Sequence, residues 1–301
     1  MQLNLPPCPL VSVLVPCFNY ARYVGDAIAS ILQQDYPNFE LVVVDDGSTD
    51  NSFEVINEAV RVYGKESLVR NVEVISQENA GVSAALNAGL ARANGEFIAT
   101  FDADDLMVPG RLGLQVAYLK NNPSVGCLGG RAARIDEKGN LLANKIKDKG
   151  VSSYDFEAAL ACALVVGGNL AMYRREALTL VGGYDPDIKV QDFQMTLKVA
   201  HAGYRVDVLP DTITLYRKHH GSLSSQYRSE LEYGLKLIEL YKSYPGYESA
   251  KARLLVKAMR FAVTDDKSFA WSLLRQIPFK QWDVKTLKRV RYLLFKSEKR
   301  T

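Results

Sequence analysis

The chain has 301 residues, 48% hydrophobic and 24% charged, with a formal net charge of +3. That length supports one large domain, or a catalytic domain with a smaller appendage, and the balance excludes disordered, collagenous and disulfide-scaffold classes. The four cysteines, Cys8, Cys17, Cys127 and Cys162, show no CxxC or Cys/His metal spacing and read as reduced core thiols.

Met1 to Pro9 has no basic n-region, and its three prolines would interrupt an apolar core, which predicts no cleaved leader and a cytoplasmic protein. Val11 to Pro16 and Glu40 to Asp46 are short β-branched runs, and between them Val24, Ala27, Ile28, Ile31 and Leu32 recur at helical spacing. This is a βαβ unit. A helix is expected after Ser48, Thr49 and Asp50, then a strand at Val72 to Ser76, a helix from Ser83 to Ala93 and a strand at Glu96 to Phe101. Continuous apolar strands alternating with helices predict an α/β fold with a mostly parallel sheet covered on both faces. Ligands would gather just after the strand ends.

A helix near Arg111 to Asn121 and a strand near Val125 to Gly129 follow, after which Asp136 to Asn140 reads as a turn in an irregular excursion. A boundary is expected near Gly130, separating a nucleotide-binding half (about 10–130) from an acceptor-binding half (131–225). Leu160 to Tyr173 is apolar but shorter than the roughly 18 to 20 residues of a membrane span, and Gly167, Gly168 and Asn169 break it. Asn169 to Tyr173 reads as a strand, Asp192 to Ala202 as a helix, and Arg205 to Tyr216 as a pair of short strands, ending the unit near Ser225. From Glu230 the periodicity is helical and punctuated by Pro245 and Pro278, giving three or four helices. Residues 226–301 carry 17 Lys and Arg against 8 Asp and Glu. This basic extension reads as a solvated helical face, or as one drawn to anionic lipid or an acidic partner.

Three segments at strand ends have the composition of a site. In Phe101-Asp102-Ala103-Asp104-Asp105 an extended backbone would turn Asp102 and Asp104 to one side. Converging carboxylates repel each other unless a hard cation such as Mg²⁺ or Mn²⁺ sits among them; the same residues also suit a capped acidic turn. In Asp45-Asp46-Gly47-Ser48-Thr49-Asp50 a carboxylate beside the Gly-containing turn would accept hydrogen bonds from a ribose or a base N–H, and Ser48, Thr49 or Asp50 would cap the next helix. In Pro16-Cys17-Phe18-Asn19 an aromatic ring and an amide would flank a planar base, with core packing the alternative for Phe18.

These segments, in this order, resemble the family-2 glycosyltransferases of the GT-A fold. VSVLVPCFNYARYVGDAIASILQQDYPNFELVVVDDGSTDNS and QENAGVSAALNAGLARANGEFIATFDADD are similar to the family's first two blocks. GGNLAMYRREALTLVGGYDPDIKVQDFQMTLKVAHAGYR and YRKHHGSLS continue the match to about Ser225. The resemblance implies that Pro16, Phe18, Asn19 and Asp46 lie against the nucleoside. It implies that Asp102 and Asp104 form a metal-binding D-x-D motif supported by Asp105, Asp102 also lying beside the nucleotide. Asp192 falls at the place of the catalytic base, and Arg217 and His219 near the diphosphate, His219 as a further metal ligand. Two positions depart from the pattern: Gln191 stands where Glu usually precedes the base, and Leu86 where many members carry arginine.

The expected activity is therefore transfer of a sugar, with inversion, from a nucleotide-diphosphate donor (UDP-sugar favoured) to an acceptor hydroxyl. Mn²⁺ or Mg²⁺ would assist the leaving group, and Asp192 would take the acceptor proton. The acceptor would be a glycan or lipid-linked glycan of a bacterial surface, with peripheral contact to an anionic membrane. Three other readings compete. A nucleotidyltransferase should open with a glycine-rich phosphate loop, which Pro16-Cys17-Phe18-Asn19 is not. An inactive sugar-nucleotide-binding or scaffold protein would not need Asp102, Asp104 and Asp192 together. A nucleic-acid binder should interleave aromatics with its basic residues, so no nucleic acid is expected as a partner.

Overall fold

The computed structural model describes residues 8–143, 150–219 and 227–295. The first half repeats one device. β1 (Val11–Cys17) leads through α1 (Val24–Leu32) to β2 (Phe39–Asp45), then α2 (Ser52–Tyr63), β3 (Val69–Ser76), α3 (Val82–Arg92) and β4 (Phe97–Thr100). β1 pairs in parallel with β2 and β4, and β2 with β3. The apolar runs of β1, β2 and β4 are covered on both faces because the crossover helices turn small and branched residues inward, as Val24, Ala27, Ile28, Ile31 and Leu32 do on α1, whereas β3, at the sheet edge, is only partly buried.

The second half is mixed. It contains β5 (Leu106–Met107), α4 (Arg111–Asn121), β6 (Val125–Ile135), β7 (Ser152–Tyr154), α5 (Phe156–Cys162), β8 (Met172–Arg174), α6 (Arg175–Leu180), α7 (Gln191–His201) and β9 (Arg205–Arg217). β8 joins the two halves by pairing antiparallel with both β4 and β6, giving one sheet ordered β3-β2-β1-β4-β8-β6-β9-β5, with β7 on β9. Parallel pairing persists here only between β6 and β9 among the described strands.

Three local expectations are corrected. The strand expected to stop at Gly129 continues through Gly130 to Ile135, because β9 supplies a partner along its whole length. Arg205 to Tyr216 is one strand rather than two. Its register against β6 jumps from Val208 to Thr212, so Pro210, which has no N–H to donate, is accommodated in a bulge. Asn169 begins no strand: Gly168–Leu170 is a 3-10 turn and the strand starts at Met172. The boundary expected near Ser225 lies outside the described residues.

Among the described residues four α-helices follow: α8 (Tyr227–Glu239), α9 (Tyr247–Asp265), α10 (Lys267–Arg275) and α11 (Val284–Phe295). Asp266 caps α10 by accepting from Phe269 N at 2.9 Å, and Asp283 accepts from Thr286 N at 2.7 Å at the start of α11. α9 packs against α5, α8, α10 and α11. Through α5 and α7 its core residues Leu255, Met259 and Ala262 merge with Leu160, Phe193 and Leu197 in one apolar cluster. The basic extension is thus fastened to the sheet by a shared core, each fully buried aliphatic side chain contributing about 1.5–3 kcal/mol. No helix among the described residues is long and apolar enough to cross a membrane. The four cysteines are free; Cys17 and Cys127 are core residues and Cys162 is half-buried, but Cys8 is exposed, contrary to expectation.

Candidate active site

β4 ends at Thr100, and the chain leaves the sheet through Phe101, whose fully buried ring anchors the departure. The following residues turn rather than extend. The turn brings in a third carboxylate beside the two expected: atoms of Asp102, Asp104 and Asp105 all lie within 4.8 Å of one another. Burial raises the pKa of Asp102 well above the usual carboxylate range, and the charges of Asp105, Asp104 and Asp192 add to the effect. Burial and then Asp104 push Asp105 up to about 7.

Each carboxylate is held differently. Asp105 accepts from Arg217 N at 2.8 Å and from Asn169 Nδ2, so it supports the cluster from inside the protein. Asp104 Oδ2 lies 2.9 Å from His219 Nε2, placing the expected histidine at the acidic centre. The His219 ring packs on Tyr23 at 4.8 Å between centroids. Arg217 is drawn elsewhere: its guanidinium donates to Asp104 O, Glu137 O and Asp26 Oδ2, and its side chain is only 2% exposed. It braces the turn backbone.

The loops after β1 and β2, where the nucleoside is expected from the sequence, are laced by the side chains offered as contacts. Asn19 adopts φ 59°, and its Oδ1 accepts from Thr49 N at 2.7 Å and Asp50 N at 3.3 Å, tying the loop after β1 to the loop after β2. Asp46 is 3% exposed and accepts from Gln77 Nε2, Ala80 N and Gly81 N at 2.7–2.9 Å, which organises the loop before α3. Gly47 permits that loop's approach: at φ +70° a Cβ would lie 2.7 Å from Asn79 N. Phe18 is 43% exposed, so core packing does not account for it. Pro16 is half-buried at the end of β1.

Asp192 stands in the first turn of α7, half-buried. Burial raises its pKa; the Gly168 N–H and the charge of Lys257 on α9 draw it back down, while Glu230 on α8 opposes them. A Cβ on Gly168 would lie 2.6 Å from Asp192 Oδ1, and Gly168 O accepts from Thr100 Oγ1 at 2.6 Å. The next residue, Asn169, donates to Asp105. One short turn therefore holds the acidic centre on one side and Asp192 on the other. Gly168→Ala is expected to cut kcat at least tenfold with nucleotide affinity unchanged, because the methyl group displaces the Asp192 carboxylate. Steady-state kinetics beside nucleotide titration check this, and an unaltered kcat would show that Asp192 need not sit there.

Behind the turn, Arg111 is 1% exposed and donates to Asn169 O, Thr214 Oγ1 and Gln115 Oε1 at 2.7–3.0 Å. Its charge lowers the pKa of Asp102, while burial depresses its own to about 9 against the opposing charges of Asp102 and Asp105. Sequence reasoning passed over Gly168, Asn169 and Arg111. The Gly-Gly-Asn break in an apolar run was a signal of the first two; nothing local ties Arg111 to the site, since its partners there, Asn169 and Thr214, lie 58 and 103 positions away.

The sequence model of the Glycosyl transferase family 2 matches residues 12–181, which contain the loops after β1 and β2, the acidic centre and the Gly168 turn. The chain belongs to glycosyltransferase family 2. An uncharacterized glycosyltransferase of Nostoc is 31% identical over 77% of this chain and 74% of its own length. The chondroitin synthase and hyaluronan synthase of Pasteurella multocida are each 29% identical over 65% of this chain, but the match covers only 19% of theirs. The chain thus spans about a fifth of those synthases. Among solved structures, a Pyrobaculum calidifontis mannosyltransferase in complex with GDP-Man and Mn²⁺ superposes with TM-score 0.67 at 21% identity, over 96% of this chain and 86% of its own. TarS of S. aureus in complex with UDP-GlcNAc gives TM-score 0.62 at 19% identity, over 90% of this chain and 82% of its own. These likenesses establish a GT-A glycosyltransferase fold with a helical C-terminal extension.

Proposed function

We propose that this glycosyltransferase moves a sugar from a uridine-diphosphate donor to an acceptor hydroxyl of a growing polysaccharide or lipid-linked glycan, inverting the anomeric carbon. The observation that carries the reading is the Gly168–Leu170 turn, which holds Asp192 and the acidic centre on its two flanks. The acceptor O–H would give its proton to Asp192, the new O–C1 bond would form, and the C1–O bond to the diphosphate would break with its electron pair leaving on phosphate. Inversion at the anomeric carbon is what the resemblance to the family implies, with Asp192 as the single base. A raised pKa suits Asp192 to this work, since a base is most effective when its pKa approaches the working pH.

The carboxylates suit a divalent cation. Their oxygens form a hard donor set, and positive charge among them offsets the burial and, after it, the mutual repulsion that raise the pKa values of Asp102 and Asp105. Asp102, Asp104 and His219 would hold Mn²⁺ or Mg²⁺, with Asp105 supporting from behind; the cation supplies Lewis-acid stabilisation of the leaving diphosphate. Phe18 would stack on the base between Pro16 and the Asn19 loop, Asp46 would shape that wall, and Arg217 would act by fixing the Asp104 backbone. Residues 10–130 would serve the donor and 131–225 the acceptor, and the cytoplasm, where nucleotide sugars are made, is the proposed compartment. The polysaccharide synthases among the relatives support the acceptor class.

Thermal-shift measurements with UDP, GDP, dTDP, CMP and their sugar conjugates, each with Mn²⁺ and with EDTA, test this reading. A ligand at 100 times its Kd adds about 2.7 kcal/mol of stability. Manganese-dependent stabilisation by a uridine nucleotide is expected. Phe18→Ala should weaken that nucleotide's binding by about 1–3 kcal/mol, the worth of one base stacked on an aromatic ring. Stabilisation by guanosine nucleotides alone would overturn the uridine assignment, and no shift with any nucleotide would overturn the donor site.

A further inference from the structure

We infer that the exposed face of α11, with the turn that leads into it, is a docking surface for an anionic lipid bilayer. α11 turns Thr286 and Leu293 inward against the rest of the helical unit, leaving positions 284, 287, 291, 294 and 295 on its outer stripe. On a helix packed only against protein that stripe would be polar. Here Val284 is 81% exposed, Leu287 56%, Leu294 55% and Phe295 81%, and Phe279, in the turn that precedes the helix, is 80% exposed. Single exposed apolar residues are ordinary, but a run of them on one element marks an interaction surface.

The charge on the same segment chooses the occupant. Residues 279–295 carry Lys280, Lys285, Lys288, Arg289 and Arg291 against one acid, Asp283, whose Oδ1 is engaged by Thr286 N and Oγ1. Lys280, Lys285, Lys288 and Arg291 are exposed among the apolar side chains. A second copy of the chain meeting this face would bring like charges together, whereas an anionic bilayer takes the side chains into its acyl boundary and the cations at its headgroups. Phe279 packs on Trp282 at 4.9 Å between ring centroids, an aromatic pair of the kind that sits at headgroup level. α9, on which α11 packs, also carries Lys257, whose charge acts on Asp192, so docking would set the base side of the enzyme in fixed relation to the membrane.

Flotation of the full chain with phosphatidylcholine vesicles, with or without 30 mol% phosphatidylglycerol, at 50 and 500 mM salt tests the inference. No turnover is read, so its outcome is separate from that of the donor and acceptor assignments. Flotation with the anionic vesicles at 50 mM salt, reduced at 500 mM, is expected. Replacing three cations together (Lys285→Gln, Lys288→Gln, Arg291→Gln) should lower the partition coefficient on the order of a hundredfold, since each cation near the surface is worth about fivefold. Val284→Ser with Leu287→Ser should lower it on both kinds of vesicle. All five positions are exposed, so the variants should keep the wild-type melting temperature. Absence of flotation at 50 mM salt, or undiminished flotation of both variants, would overturn the inference. So would a concentration-dependent dimer in sedimentation velocity that the apolar variant abolishes without any vesicle binding, since a second copy would then own the face.

Discussion

Asp192→Asn is expected to lower kcat by about 10² to 10⁴ while leaving nucleotide affinity unchanged. The amide keeps the shape of the carboxyl group and can still accept the Gly168 N–H, so the geometry survives and only proton removal is lost. Stability should not fall. Burial disfavours the Asp192 carboxylate, and a neutral side chain in its place escapes that penalty, so the melting temperature at neutral pH should be equal or higher. The wild-type rate should decline as pH falls through the raised pKa of Asp192, because a protonated base cannot accept the acceptor proton; the residual rate of the variant should lack that limb. Lys257→Met removes the cation that draws this pKa down and should move the limb to higher pH. An Asn variant with full kcat, or one that loses only nucleotide affinity, would remove Asp192 from the role of base.

The first half of the fold was legible because its signals are local. β1, β2 and β4 are each one mainly apolar run, β3 alternates apolar and polar residues, each crossover helix shows its own spacing, and the turn after each strand carries its own polar residues. The same locality exposed the three aspartates. What the sequence hid depends on pairing between distant segments. β6 passes Gly130 because β9, some 80 residues later, lies beside it, and the antiparallel insertion of β8 between β4 and β6 leaves no trace in a three-residue strand. Side-chain direction was hidden in the same way. Arg217 lies beside His219 in the sequence, yet His219 faces Asp104 while the guanidinium of Arg217 runs to Asp26 and two backbone carbonyls. Asp46 and Asn19 sit at the expected strand ends, but their acceptors are taken up in joining loops from 30 or more positions away.

Without a divalent cation the protein is expected to lose stability as pH rises from about 4 to about 7, and Asp105→Asn should flatten that slope. Asp105 has a folded pKa of about 7 against the usual 3.8. Over that interval the native state keeps a proton that the unfolded chain has released, so the native state binds more protons and rising pH favours unfolding. The full contribution approaches about 4 kcal/mol once the group is ionised in both states, and Asp102 shifts in the same direction. Asp50, Asp266 and Asp283 act oppositely: their hydrogen bonds hold them below the ordinary value, and the stability they confer is lost as pH falls below about 4. The two effects therefore occupy separate windows, and melting in EDTA across pH 4 to 8 resolves them. Mn²⁺ binds the ionised carboxylates, so its stabilisation should grow over the interval in which the cation-free protein weakens. Asp105→Asn can still accept from Arg217 N if the Asn169 amide turns to offer its oxygen, so the variant should fold. A cation-free melting temperature that climbs from pH 4 to 7, or a manganese effect largest at acid pH, would mean that these carboxylates are neither strained by one another nor relieved by a metal.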